Sequence, residues 1–68
     1  MNSQTKLGEN IKKIRLEAKL TQKQVADKAD MNVNYFARIE RGEENLTFEV
    51  LEKIVKALKI KSSEILPF

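Results

Sequence analysis

No cysteine and no histidine occur among the 68 residues. Disulfides, thiolate nucleophiles and thiolate metal sites are therefore excluded, and so is the commonest general base and metal ligand. The single proline stands at position 67 and there are only two glycines, so almost nothing in the interior breaks a helix. Leu, Ala, Lys and Glu are abundant, a composition that favours an all-helical chain. No apolar run approaches the roughly 20 residues of a membrane span, and residues 1–10 lack a signal-peptide apolar core. A soluble, cytoplasmic protein is expected, and the lack of disulfides agrees with a reducing compartment. No linker, repeat or low-complexity stretch divides residues 1–68, which read as one domain. At this size only about 60% of the unfolded surface can be buried, and with no covalent or metal staple the stability must come from helix packing. No nucleophile–base pair or metal constellation can be assembled, so an enzyme is not expected and no cofactor is implied.

Basic residues outnumber acidic ones by 13 to 10, and their distribution says more than their number. Residues 1–42 hold nine Lys/Arg against five Asp/Glu, whereas residues 43–68 hold four against five. The positive field thus belongs to the first part of the chain, an asymmetry that suits a polyanion partner but also occurs in ordinary domains.

Apolar spacing and capping residues divide the chain into short helices. The first is expected from Ser3 or Thr5 to about Lys19, with Leu7, Ile11, Ile14 and Ala18 on one buried face. Thr21 suits the N-cap of a second helix, Gln22 to about Ala29, and Gln24 is placed to close a capping box. Val25, Ala26 and Ala29 would face inward. After a turn at Asp30 and Met31, Asn32 suits the cap of a third helix that reaches Glu40 or Arg41, with Phe36 and Ile39 inward and Gly42 as the left-handed terminator. Thr47 would cap a fourth helix to about Lys59, with apolar positions Phe48, Leu51, Ile54, Val55 and Leu58. A last short turn after Ser62 or Ser63 would carry Ile65 and Leu66 before Pro67 and Phe68. Helices this short draw their stability from contact with each other rather than from propensity.

Helices two and three stand back to back across a short turn, which forces a sharp corner rather than an antiparallel hairpin. The matching residues extend over nearly the whole chain. They are Ile11, Ile14 and Arg15, then Leu20-Thr21-Gln22, Val25-Ala26, Met31-Asn32, Tyr35-Phe36, the run Arg38-Ile39-Glu40-Arg41-Gly42, and Leu51, Ile54, Ala57 and Leu58. With these residues the sequence resembles the helix-turn-helix family of phage repressors and Cro, also called the XRE family, and within it the small controller proteins of restriction-modification systems. The resemblance implies an all-α, compact five-helix lambda-repressor-like DNA-binding domain whose helix-turn-helix is formed by helices two and three. One position departs from the pattern. Many members have glycine in the turn where this chain has Asp30, a residue that tolerates a left-handed backbone at some cost.

In such an arrangement the third helix sets its first residues against base edges while the second crosses the phosphate backbone. Asn34 has the donor–acceptor pair to bind adenine, Val33 the methyl groups to touch thymine, and Arg38 the reach for guanine or a phosphate. Gln22, at the positive end of the second helix, suits a phosphate. The resemblance gives Gln22, Val33, Asn34 and Arg38 as DNA contacts and brings Asn45 toward the backbone. Lys23, Arg15 and Arg41 are further phosphate candidates. Plainer roles stand beside these. Asn32 suits a cap, Gln22 and Lys23 suit solvated first-turn positions, and Tyr35 suits half-core packing as well as DNA contact. Arg38 and Arg41 suit pairing with Glu40 or Glu17. Arg15 fits an ion pair with Glu40 better than a DNA contact, and Lys12, Lys13 and Lys19 suit a solvated face.

One recognition helix reads too few base pairs for specific affinity, so a homodimer on a palindromic double-stranded DNA operator is expected. The fourth and fifth helices would supply its interface, with Val50, Leu66 and Phe68 as apolar residues one monomer's core does not need. Control would act through promoter occupancy, with RNA polymerase as the further contact, in an operon such as that of a restriction-modification system. The rival readings are an antitoxin with secondary DNA binding and a helical protein-interaction module. The first would be expected to carry an extension beyond the last helix, and the second to have lost Gln22 and Arg38.

Overall fold

The computed structural model describes residues 3–59, and within them the chain forms four helices. These are α1 (Ser3–Glu17), α2 (Gln22–Lys28), α3 (Val33–Glu40) and α4 (Phe48–Leu58), with no strand among the described residues. The fifth helical turn expected after Ser62 or Ser63, with Ile65, Leu66 and Phe68, lies outside the described residues.

The helix starts follow from side chains that answer unpaired backbone donors. The Thr21 hydroxyl accepts from the Gln24 amide at 3.0 Å, while the Gln24 side chain accepts from the Thr21 amide at 2.8 Å, completing the capping box. The Asn32 side chain accepts from the amides of Asn34 and Tyr35, at 2.7 and 3.3 Å, and Thr47 accepts from Val50 at 3.1 Å.

The helix ends share one device. After α1, α2 and α3 the chain turns through a residue with positive φ: Lys19 at 60°, Asp30 at 56° and Gly42 at 77°. At each, an amide one residue further on reaches back five positions, Leu20 to the Arg15 carbonyl, Met31 to Ala26 and Glu43 to Arg38, which is the Schellman pattern. Glycine does this without strain, and Asp30 and Lys19 do it against the steric preference of a residue with a Cβ. Lys19 explains why α1 ends at Glu17, short of the position expected from apolar spacing.

The core gathers the expected inward positions Ile11, Val25, Ala26, Ala29, Phe36, Ile39, Ile54 and Leu58, and Ala57 is buried with them. Helix α3 packs on both α1 and α2, and α4 packs on α2. Two of the expected apolar positions, Ala18 and Phe48, are exposed. Ala18 is exposed because α1 has already ended, whereas Leu7 and Ile14 are half-buried and pack against the core as expected. Phe48, expected among the apolar positions of α4, is 73% exposed. Leu51 and Val55, one and two turns along the same stripe, are half-buried, so Phe48 lies at the uncovered end of that stripe.

Gly8 has a role that its sequence position conceals. It is buried where α1 meets the end of α3, and a Cβ there would stand 2.5 Å from the carbonyl oxygens of both Ile39 and Glu40. Glycine in a helix interior is ordinarily worse than alanine by about 1 kcal/mol. Here the sign reverses: Gly8→Ala should destabilise the fold by roughly 1–3 kcal/mol in urea unfolding, the usual cost of overpacking. A more stable Gly8→Ala variant would contradict the close approach. At the left-handed turn, Asp30→Gly should keep or raise the melting temperature and Asp30→Val should lower stability by roughly 1–2 kcal/mol. Equal melting temperatures for those two variants would contradict the role of Asp30 in the turn.

Candidate nucleic-acid interface

Glu40 sits on the last turn of α3 with only 6% of its surface exposed. A carboxylate in so dry a position must be met by donors. Arg15 of α1 supplies two, Nε to Oε2 at 2.6 Å and Nη2 to Oε1 at 3.1 Å. Its Nη1 also donates to the Leu20 carbonyl at 2.8 Å, which ties the turn after α1 into the same cluster. Gln22 of α2 adds a further donor, Nε2 to Glu40 Oε1 at 2.9 Å. One carboxylate thus joins α1, α2 and α3. Among the described residues no buried side-chain nitrogen or oxygen lacks a partner.

This cluster holds the corner between α2 and α3. Gln22 and Lys23 occupy the first turn of α2, Val33, Asn34 and Tyr35 the first turn of α3, and Arg38 the turn after it. Asn34 is exposed, while Val33 and Tyr35 are half-buried and packed against the core, so Tyr35 combines a packing role with a partly open ring. Gln22 is not simply solvated: its side-chain amide, which carries two hydrogens, directs one of them to Glu40. Lys23 makes an exposed i,i+4 pair with Asp27 at 3.3 Å, an interaction worth a few tenths of a kcal/mol at most. Arg41 and the exposed Asn45 lie beyond the end of α3, on the stretch that leads to α4.

The two arginines of α3's C-terminal part do not pair as expected with Glu40 or Glu17. Glu40 is already occupied by Arg15 and Gln22, and the turn at Gly42 folds two other carboxylates back toward the helix. Arg38 Nε binds Glu44 Oε2 at 2.8 Å, and Arg41 binds Glu43 with Nε–Oε2 at 3.0 Å and Nη2–Oε1 at 3.1 Å. The Arg38 guanidinium carbon also lies 5.9 Å from the centre of the Tyr35 ring, within cation–π range. The hydrogen bond from Arg41 holds the Glu43 carboxyl below the usual carboxylate range, and the same bond pushes Arg41 further up. Since the Glu43 value is depressed on folding, this pair contributes at neutral pH and is lost as pH falls through the lowered value. Both side chains are exposed, so its contribution is small.

Sequence reasoning missed Glu44 altogether and saw Gln22 only as a phosphate donor or a solvated residue. The signal for Glu44 was indirect: a left-handed terminator at Gly42 implies that the next residues double back along α3.

The order of caps, the corner and the outward face of α3 agree with the comparison of sequences, in which residues 11–65 match the helix-turn-helix family. The chain belongs to that family. Among its helix-turn-helix relatives, the immunity repressor protein of Bacillus phage phi105 is 46% identical over 59 residues, covering 87% of this chain and 41% of the repressor. The chain therefore spans less than half the length of that relative. Control protein C.BamHI of Bacillus amyloliquefaciens is 34% identical over 62 residues, covering 90% of this chain and 76% of the control protein. Among solved structures, the restriction-modification controller protein C.Esp1396I, as a tetramer in complex with its natural 35 base-pair operator, superposes with a TM-score of 0.85 at 39% identity. That match covers 90% of this chain and 80% of the controller chain. Among the described residues no helix is long and apolar enough to cross a membrane.

The buried pair has a direct test. Arg15→Met leaves Glu40 charged, dry and short of donors, which should cost roughly 3–5 kcal/mol in urea unfolding. Arg15→Met combined with Glu40→Leu removes both charges and should recover most of that loss. An Arg15→Met variant as stable as the parent would contradict the assigned role.

Proposed function

We propose that this chain is a sequence-specific regulator of transcription that binds a palindromic operator in double-stranded DNA as a homodimer and acts by occupying promoters. The observation that carries the reading is the corner fixed by Glu40, with Gln22 on one side and an outward α3 face of Val33, Asn34 and Arg38 on the other. In this reading Asn34 and Val33 read base edges, Arg38 reaches a guanine, and Gln22, Lys23, Arg41 and Asn45 address phosphates. Tyr35 supports Arg38 through its ring. The names of the relatives, a phage immunity repressor and restriction-modification control proteins, support a regulator that controls gene expression rather than an enzyme. Control of a restriction-modification operon is the context favoured by C.BamHI and C.Esp1396I, with contact to RNA polymerase following from operator position.

The dimer would form through α4 and the residues after it. Val50, expected to be spare to the core, is half-buried and packs against it, so only its open part is left for a partner, and the exposed Phe48 adds an apolar side chain that the described core leaves uncovered. Leu66 and Phe68 would complete the interface.

Selection of bound duplexes from a random pool, followed by titration at several salt concentrations, tests the reading. A palindromic consensus is expected, with log affinity falling against log salt at a slope of about −0.9 per phosphate contact. Asn34→Ala should relax the preference at one base position by roughly 1–3 kcal/mol, and Gln22→Ala should weaken all duplexes similarly. No enriched site together with weak salt dependence would overturn the function.

A further inference from the structure

The Arg38–Glu44 pair leaves one end of the arginine unaccounted for. Glu44 takes Nε at 2.8 Å, and the pair is half-buried, with side chains 43% and 33% exposed, so water screens it less than the Lys23–Asp27 pair at 73% and 63%. Glu44 cannot drift from this place easily. Its carbonyl accepts from Gln4 Nε2 of α1 at 2.9 Å, and the preceding Glu43 amide donates to the Arg38 carbonyl at 2.9 Å. The turn at Gly42 is pressed so close to Thr5 that a Cβ there would come within 2.8 Å of its Cα. With the Tyr35 ring 5.9 Å from the guanidinium carbon, Arg38 is held between a ring and a carboxylate that is itself anchored to α1.

A guanidinium held at Nε presents its two terminal nitrogens as a fork. Two kinds of group fit that fork: the O6 and N7 acceptors of guanine, and a pair of phosphate oxygens. They differ in charge. A phosphate taken by Arg38 brings its negative charge beside the Glu44 carboxylate, whereas guanine brings none. We propose that Glu44 is a specificity-determining positioning residue, which holds Arg38 by Nε and reserves its terminal fork for a guanine edge over the phosphate backbone. The proposal rests on the DNA-binding reading above and deepens it: an acidic residue beside the recognition helix narrows what the arginine accepts.

Glu44→Gln keeps the size of the side chain and removes its charge. Its affinity, and that of the parent, are to be measured on the selected operator, on operators changed at each half-site position in turn, and on a non-operator duplex. Discrimination is expected to fall by about fivefold at one G·C pair and to stay constant elsewhere, a partial loss of what a bidentate contact provides. Non-operator binding should tighten, with its salt slope steeper by about one phosphate contact per chain. In an Arg38→Ala background, Glu44→Gln should change none of these ratios, which separates a role through Arg38 from simple loss of a negative charge. Melting temperatures of Glu44→Gln and Glu44→Ala are expected to match the parent closely, and Glu44→Ala should show the same single-position loss. If an operator is selected but discrimination is unchanged in Glu44→Gln, or changes equally without Arg38, the role of Glu44 is overturned while DNA binding stands. If the parent selects no operator at all, the DNA-binding reading falls and this proposal with it.

Discussion

One buried carboxylate holds this fold to its shape. Glu40 is out of water, and the donors that make its burial tolerable come from two other helices, Arg15 on α1 and Gln22 on α2. A domain with no disulfide and a core of this size has little stability to spare. The polar cluster therefore fixes relative placement where the apolar core alone would permit sliding. Gly8 makes the arrangement possible, since only a residue without a Cβ lets α1 lie against the carbonyls of Ile39 and Glu40. The angle between α2 and α3, on which any groove-reading function depends, is thus set from behind by Arg15 and Gly8, and Gln22 is the one member of the cluster that also lies on the proposed DNA face.

The outer face follows a different electrostatic rule. Arg38, Arg41 and Lys23 are each paired with a carboxylate in the structure, Glu44, Glu43 and Asp27. Such a surface is not a general polyanion trap, in keeping with a formal net charge of only +3. Binding that must first displace or accommodate these pairs depends on geometry more than on total charge. That is the behaviour expected of a reader of sequence, and it fits the company of repressors and controller proteins in which the chain is found.

Local features were legible in the sequence because local chemistry decides them. Thr21 with Gln24, Asn32 and Thr47 cap helices through bonds two or three residues long, and Asp30 and Gly42 take left-handed backbone at the expected places. The Arg15–Glu40 pair was legible as opposite charges on two neighbouring helices, although apolar spacing put Arg15 off the buried face of α1 and the structure buries it. What sequence did not reveal depends on how helices meet. Gly8 looks like a flaw in a helix until the carbonyls of α3 are placed beside it. Phe48 belongs to an apolar stripe by spacing, yet it stands at the start of α4 outside the described core and stays exposed. Arg38 had several carboxylates in range along the chain, and only the reversal at Gly42 selects Glu44. The third donor to Glu40, from Gln22, was hidden because a residue suited to phosphate contact was read as facing outward only.

In the proposed function the face formed by α2 and α3 is built before DNA arrives and is held by the Glu40 cluster. NMR spectra of the chain with and without an operator duplex test it most directly, by following the Arg15 Nε–H signal beside the backbone amides of residues 33–38. The residue 33–38 amides and the Gln22 side-chain amide should shift on binding while the Arg15 Nε–H signal stays where it was. An Arg15 signal that moves as far as those of α3, or shifts that gather instead around Lys12, Lys13 and Lys19, would contradict it.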